Sequence, residues 1–312
     1  MTALAEARPD TRVPKIPAAT LEALHDQAAL QFESQRANKI VYLELPVEDR
    51  RGFAALPQRS LGDVILDLEG HPFFEPARGL TFLFGIVTTD GDKPRYDASW
   101  AHDYPGERRA FEDFIDFVHS RLARHPDLHV YHFGAYEQSA IKQLMGLYAT
   151  RESEVDDLLR RKIFVNLYSI FRQALRAGVS SYSLKKLEPL FAFTRLAAVR
   201  SGMEAIVDYE HWRESHDDKF LGQIAAYNEE DCRATLALLD WLHTLRPCEL
   251  SWPDLPQPRE VSEETTEALD ARQRLREELL QGAEPGDYQW LAGELLEYHR
   301  REARPGWWWY FE

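Results

Sequence analysis

Asp67 and Glu69 stand two apart in the run VILDLEG. Residues two apart on a strand point to the same face. Val64, Ile65, Leu66 and Leu68 surround them, so the strand reads as central and buried. Two carboxylates sharing a buried face repel each other and lose hydration. A divalent cation would relieve both costs, and Mg²⁺ and Mn²⁺ prefer such oxygen ligands. Two acids at a solvent-exposed strand end would give the same string. Tyr227 and Asp231 lie four apart in AAYNEEDCRATLALLDWL, one above the other on a helix. Asp231 could complete a metal site and the Tyr227 hydroxyl could orient a water. Because Glu229, Glu230 and Asp240 are also acidic, a solvated helix surface reads the same way. Glu137 opens a helix after the strand HVYHF, with Gly134 permitting a tight turn. Taken alone, an acid there is better explained as offsetting the helix dipole.

The elements that must position these residues follow from periodicity. Strands fit DVILDLEG from Asp63, LTFLFGIVTT and PRYDASW, with Asp90-Gly91 as a turn; tight connections suggest antiparallel hairpins. A helix fits Glu107 to Arg124, with Phe111, Phe114, Ile115 and Val118 on one face. LHVYHF is a short strand, Tyr136 to Tyr148 a helix, Glu152 to Lys162 a charged helix and FVNLYS a strand, followed by a mostly helical stretch to Thr244. Strands first, then strand alternating with helix, predict an α/β fold with a mixed β-sheet flanked by helices. Upstream, residues 1–17 read as a disordered leader. Thr20 could cap a helix to about Arg36, Lys39 to Leu45 reads as a strand or linker, and 46–60 as a loop. The expected organisation is a leader, helix and linker over 1–60, a catalytic domain over 61–246, and a helical extension over 247–312. That extension holds a proline-bearing linker (SWPDLPQPRE) and helices at Glu263 to Gln281 and Tyr288 to Glu302. The final GWWWYFE is an aromatic cluster that normally needs burial. It either contacts a further domain of a longer protein or folds back on its own.

Composition bounds the function. The chain has 312 residues, and its net charge of −15 argues against binding nucleic acid by bulk charge alone. Metal-binding acids contribute to that count, and a local basic groove can coexist with it. Arg160, Arg161 and Lys162, then Lys185 and Lys186, are candidates for such a groove or for solvated helix faces. Cys232 and Cys248 support neither a disulfide framework nor a four-cysteine metal site. No apolar run reaches bilayer length and no signal-type segment opens the chain, so the expectation is a cytoplasmic protein without membrane partners.

Asp-x-Glu on a first strand, an acid after a later strand and Tyr-x-x-x-Asp on a late helix together resemble the DEDD-type 3′–5′ exonucleases of the ribonuclease-H-like superfamily, in the tyrosine-containing subgroup. The resemblance spans residues 61–245. The segments LDLEGHPFF, YHFGAYEQSAIKQL, SYSLKKLEPLFAF and YNEEDCRATLALLDWL are more closely similar to the YprB-type ribonuclease-H-like domain, found beside RecB-like nuclease and helicase domains. It implies two ions, Mg²⁺ or Mn²⁺, held by Asp67, Glu69, Glu137 and Asp231, with Tyr227 positioning the attacking water. The implied substrate is nucleic acid, DNA or RNA, as a single-stranded 3′ end. Glu137 stands where the broad superfamily has Asp, and Asn166 where another acid is expected. Phe73, Phe74, Phe133 and Tyr136 could stack terminal bases or pack the core. His71 and His132 lie beside the motifs as possible supporting donors or structural residues. The competing functions are a structure-selective endonuclease of the same fold and a catalytically inactive docking module.

Overall fold

The computed structural model describes residues 2–5, 13–76, 78–91, 93–197, 199, 201–254, 263–284, 286–296 and 298. Leader residues 6–12, linker residues 255–260, helix residues 299–302 and the aromatic terminus lie outside that set. In chain order the elements are α1 (Thr2–Ala5), α2 (Ala18–Ala37), β1 (Tyr42–Glu44), β2 (Val64–Glu75), β3 (Arg78–Thr88), β4 (Arg95–Trp100) and α3 (Tyr104–Leu122). They continue with β5 (Val130–His132), α4 (Tyr136–Tyr148), α5 (Glu152–Arg160), β6 (Phe164–Asn166), α6 (Leu167–Ala174), β7 (Leu175–Ala177) and α7 (Leu184–Leu187). The last are α8 (Gly202–Ser215), α9 (Lys219–Leu245), α10 (Glu263–Leu280) and α11 (Tyr288–Leu295).

Two compact units divide the chain, Met1–Leu144 with Phe164–Asp254, and Met145–Ile163 with Leu255–Glu312. In the second unit, α10 and α11 pack together where Gly293 faces Leu279 and Leu280, and Arg276 pairs with Glu294 at 2.7 Å. Arg160 and Arg161, in the same unit, pair with Asp156 and Asp157 one helical turn back.

The first unit is built on a five-stranded sheet of order β4-β3-β2-β5-β6. β2, β3 and β4 are antiparallel, while β5 and β6 run parallel to β2. Helices flank it, giving the expected mixed α/β architecture. Central β2 is apolar on both faces: Val64, Ile65 and Leu66 are 1% exposed or less. Alternation puts Ile65, Asp67 and Glu69 on one face. Ile65 sits in the core with Leu238, Leu239 and Leu242 of α9, which packs on β2 and β3. Asp231 lies seven residues before Leu238, about 10 Å along the same helix at 1.5 Å per residue. The buried leucines therefore anchor α9 so that its earlier turns cross the acidic end of β2.

Several elements differ from the sequence expectation. β2 begins after Asp63 and runs on to Glu75, through irregularities beyond Glu69 and His71. The helix after β4 starts earlier, because Asp103 caps it by accepting from Gly106 N at 2.6 Å. FVNLYS is a strand only to Asn166, whose side chain caps α6. The expected loop 46–60 contains a 3₁₀ turn at Gly52–Ala55, with Phe53 and Leu56 buried. β7 interrupts the expected helical stretch and pairs antiparallel with β1. Gln27 and Gln31 of α2 donate to the carbonyls of Ala177 and Val179 at 2.8 and 2.6 Å. Gly178 is required there, because a Cβ would lie 2.1 Å from Ser34 Oγ.

Asp63 ties the start of β2 to β5. Its carboxylate accepts from Ser60 N at 2.9 Å, Arg59 Nε at 3.1 Å and His129 N at 3.0 Å. Burial nevertheless raises Asp63 to about 6, and burial lowers the His129 imidazole to about 4. The raised Asp63 contributes stability at low pH that is lost as pH rises through 6. His129 resists protonation when folded, so its contribution is lost as pH falls from 6.5 toward 4. The two terms oppose each other over that window. A His129→Gln variant removes only the second. Relative to wild type, it should gain about 3 kcal/mol between pH 7 and pH 4. Urea denaturation of both proteins at the two pH values measures this, and an unchanged difference would refute it.

Candidate active site

β2 and α9 bring Asp67, Glu69 and Asp231 together. One carboxylate oxygen from each lies within 4.8 Å of the others. Glu69 and Asp231 are 8% and 9% exposed. Burial, then the charges of Asp231, Glu69 and Glu137, hold the Asp67 carboxyl well above the ordinary range. Burial and Asp231 push Glu69 up to about 8, partly offset by a hydrogen bond from Asn228. Three mutually repelling, desolvated carboxylates form an all-oxygen donor set that fits a hard divalent cation.

Glu137 lies in the first turn of α4 and is 4% exposed. It is close enough to raise Asp67 and Glu69, yet it lies outside the three-carboxylate group. Its Oε2 is 3.2 Å from Nδ1 of fully buried His132. His132 therefore orients this acid, whereas His71 is used elsewhere: its Nδ1 accepts from Phe73 N at 3.0 Å and its Nε2 meets Glu210 at 2.8 Å. Asn166, where an acid was expected, accepts from Gly134 N at 3.2 Å and from Tyr168 N at 3.0 Å. It thus caps α6 and pins the turn that precedes Glu137, in which Gly134 has a φ of +119°.

Tyr227 is nearly buried, one turn before Asp231. Lys185 Nζ donates to its Oη at 3.3 Å and stands 4.6 Å from the ring centroid. Burial, then Asp231 and Glu69, raise the phenol, so it keeps its proton at neutral pH. Of the predicted basic residues, Lys185 reaches this site, while Lys186 on the next position is exposed. Phe73 and Tyr136 are exposed, at 78% and 49%. Phe74 instead packs edge-on against Tyr104 at 5.7 Å, and Phe133 against Tyr168 at 5.6 Å.

Two participants escaped the sequence reading. Asn228 is fully buried and donates from Nδ2 to Asp67 Oδ2 at 2.8 Å and to Asp67 O at 3.2 Å. Tyr96 Oη donates to Asn228 Oδ1 at 2.8 Å, which fixes the amide's orientation. Gly85 makes room for this contact: a Cβ there would sit 1.5 Å from Asn228 Oδ1. No local signal marked it, because the turn that follows, Glu229 to Cys232, is acidic and gives no hint that position 228 is buried. The second is Arg195, whose Nη2 lies 2.5 Å from Asp231 Oδ1 and 2.6 Å from Glu188 Oε1. An arginine outside helix and strand carries no periodicity to mark it.

Among the described residues, no helix is long and apolar enough to cross a membrane. No curated protein and no solved structure matches the chain. The RNase_H_2 family model, described as RNase H superfamily, matches residues 64–243, from the first residue of β2 to near the end of α9. That stretch contains the candidate-site acids Asp67, Glu69, Glu137 and Asp231 and exceeds half the chain, so the protein belongs to the RNase H superfamily, whose fold points to a nuclease acting on nucleic acid.

Proposed function

We propose that this chain is a metal-dependent 3′–5′ exonuclease that hydrolyses phosphodiester bonds of DNA or RNA from a single-stranded 3′ end. The observation that carries the reading is the convergence of Asp67, Glu69 and Asp231 from separate segments onto one point, with Tyr227 one helical turn before Asp231. In this proposal those three residues, with Glu137, hold two ions, Mg²⁺ or Mn²⁺. When bound, such ions supply a water of lowered pKa and neutralise charge on the phosphate and the leaving oxygen. The tyrosine one turn before the last acid is the feature that favours an exonuclease, through its resemblance to the tyrosine-containing subgroup. The YprB-type subgroup, attached RecB-like or helicase domains and a cytoplasmic setting belong to the same proposal.

The chain's own residues have distinct tasks. Tyr227 keeps its phenolic proton, so it orients a water through a neutral Oη instead of removing a proton. Lys185 holds that hydroxyl in place and adds positive charge where a polyanion must approach. Asn228 occupies Asp67 Oδ2 and fixes the carboxylate's rotation. Phe73 and Tyr136 expose rings on which terminal bases could stack. One observation favours the docking-module alternative: Glu137 is engaged by His132 and stands apart from the other three acids.

The test uses 5′-labelled single-stranded DNA and RNA with free or blocked 3′ ends, in Mg²⁺ or Mn²⁺. A ladder should form only on free ends. Asp67→Asn or Asp231→Asn should lower turnover by at least about 10²-fold. Cleavage of blocked ends would make the protein an endonuclease, and no cleavage in either metal would favour the docking module.

Tyr227→Phe should lower kcat by about 10²-fold, the scale of a misplaced reactant, with KM little changed. A rise in KM alone would assign Tyr227 to substrate binding.

Asp67→Asn should also raise the Tm of the cation-free protein at pH 8, because a neutral amide avoids the cost of either protonating or ionising a buried acid in a repelling group. A fall in Tm would show that Asp67 stabilises the fold.

Gly85→Ala should displace the Asn228 amide, costing about 1–3 kcal/mol of stability and weakening Mn²⁺ binding through a freed Asp67. Calorimetric titration with Mn²⁺ checks the second effect, and unaltered affinity would remove Asn228 from its positioning role.

A further inference from the structure

Arg195 lies between the 3₁₀ turn at Glu188–Phe191 and α8, in a segment without helix or strand. Its neighbour Leu196 is 91% exposed. Glu230 Oε1 holds this segment, accepting from the backbone N–H groups of Leu196 and Ala197. From there the guanidinium reaches inward. Nε donates to Glu188 Oε1 at 2.7 Å, and Nη2 meets both Glu188 Oε1 and Asp231 Oδ1. Nη1 is buried and makes no hydrogen bond. The guanidinium carbon stands 5.9 Å from the centroid of the Tyr227 ring, the ring that Lys185 also faces.

The three nitrogens are in different situations. Nε is bound to Glu188, an acid outside the candidate cation group, which therefore serves as a lasting tether. Nη2 shares Asp231, which belongs to that group. Nη1 has donors and no acceptor. A guanidinium and a divalent cation on the same carboxylate repel each other, so arrival of the cation weakens the Nη2 contact. The freed Nη1–Nη2 edge is a planar pair of donors, the geometry that binds phosphate oxygens bidentately. It stands beside Tyr227 and the carboxylates, where the substrate phosphate would lie.

We infer that Arg195 is a substrate-phosphate binding residue that stands on Asp231 as its counter-ion until a divalent cation takes that carboxylate, and then turns its Nη1–Nη2 edge to the nucleic acid. The inference rests on the nuclease reading above. In the cation-free protein Arg195 offsets part of the acidic charge; in the loaded protein the same side chain neutralises the substrate. Glu188 keeps it within reach of both positions.

The experiment compares wild type, Arg195→Ala and Arg195→Lys in two measurements that need no turnover. Free Mn²⁺ is counted by electron paramagnetic resonance without nucleic acid. Binding of fluorescent single-stranded DNA and RNA is followed by anisotropy in Ca²⁺ over a range of salt. Arg195→Ala should bind Mn²⁺ about 3-fold or more tighter, because a competing cation has left Asp231. It should bind the preferred oligonucleotide about 10-fold more weakly, with the salt slope reduced by about 0.7, the value for one phosphate contact on a single strand. Arg195→Lys keeps the charge without the fork, and should restore the salt slope but only part of the affinity. Unchanged or weaker Mn²⁺ binding by Arg195→Ala would make Arg195 a fixed structural partner of Asp231 and overturn the inference. Tighter Mn²⁺ with unchanged oligonucleotide binding would overturn the phosphate role. If wild type binds neither Mn²⁺ nor nucleic acid, the nuclease reading itself falls. If wild type binds both and Arg195→Ala matches it in both, only the inference about Arg195 falls.

Discussion

Repulsion among Asp67, Glu69 and Asp231 sets the terms for the structure around them. Their oxygens lie within 4.8 Å of one another, and burial denies them the water that would screen the charge. No small side chain could hold such a group on its own strand or helix. The apolar framework does it: Ile65 on β2 and Leu238, Leu239 and Leu242 on α9 lock the two elements together a short distance away. Burial of those four side chains, each worth roughly 1.5–3 kcal/mol, supplies the stability that a cluster of desolvated acids consumes. The fold thus holds the acids close before any cation arrives, which is the preorganisation that tight and specific ion binding needs.

The polar residues around the group divide into those that set position and those that carry charge. Asn228 is neutral, so it fixes Asp67 without cancelling its charge. Tyr96 and Gly85 in turn fix Asn228, one by a hydrogen bond and the other by the absence of a Cβ. His132 does the equivalent for Glu137 on the other side of β2, and Asn166 holds the turn before it. An aspartate at position 166 would have added a further negative charge near an already crowded group. The amide performs the cap without that penalty, which gives the departure from the expected acid a physical reason.

How much of this was legible follows from which features are periodic. Alternation on β2 placed Asp67 and Glu69 on one face, and helical spacing put Tyr227 over Asp231, because both patterns are local and repeat at fixed intervals. The same logic recovered the central strands and most helices. It missed β7, whose three residues acquire strand character only by pairing with β1 from more than a hundred residues earlier. It missed the buried Phe53 and Leu56 because a 3₁₀ turn among prolines and charges has no amphipathic period. Asn228 was invisible for a different reason: its role depends on Gly85 standing opposite it, a fact of tertiary register. Glu137 was read both as a possible ligand and as an acid offsetting a helix dipole. Its contact with His132 depends on how the turn at Gly134 closes, which spacing alone does not specify.

The acidic balance of the whole chain then takes on a definite meaning. A net charge of −15 gives no long-range attraction for a polyanion. Attraction must come from a few cations placed where the acids are, and the described residues place Lys185 and Arg195 there, beside the Tyr227 ring. Their positions are short-ranged in effect, since beyond a Debye length of about 8 Å at physiological salt their fields are screened. Such an arrangement draws in a phosphate only once a strand end has already come close. Under the exonuclease proposal that short reach suits a strand end already at the site, so the charge that first argued against nucleic-acid binding is compatible with the proposal.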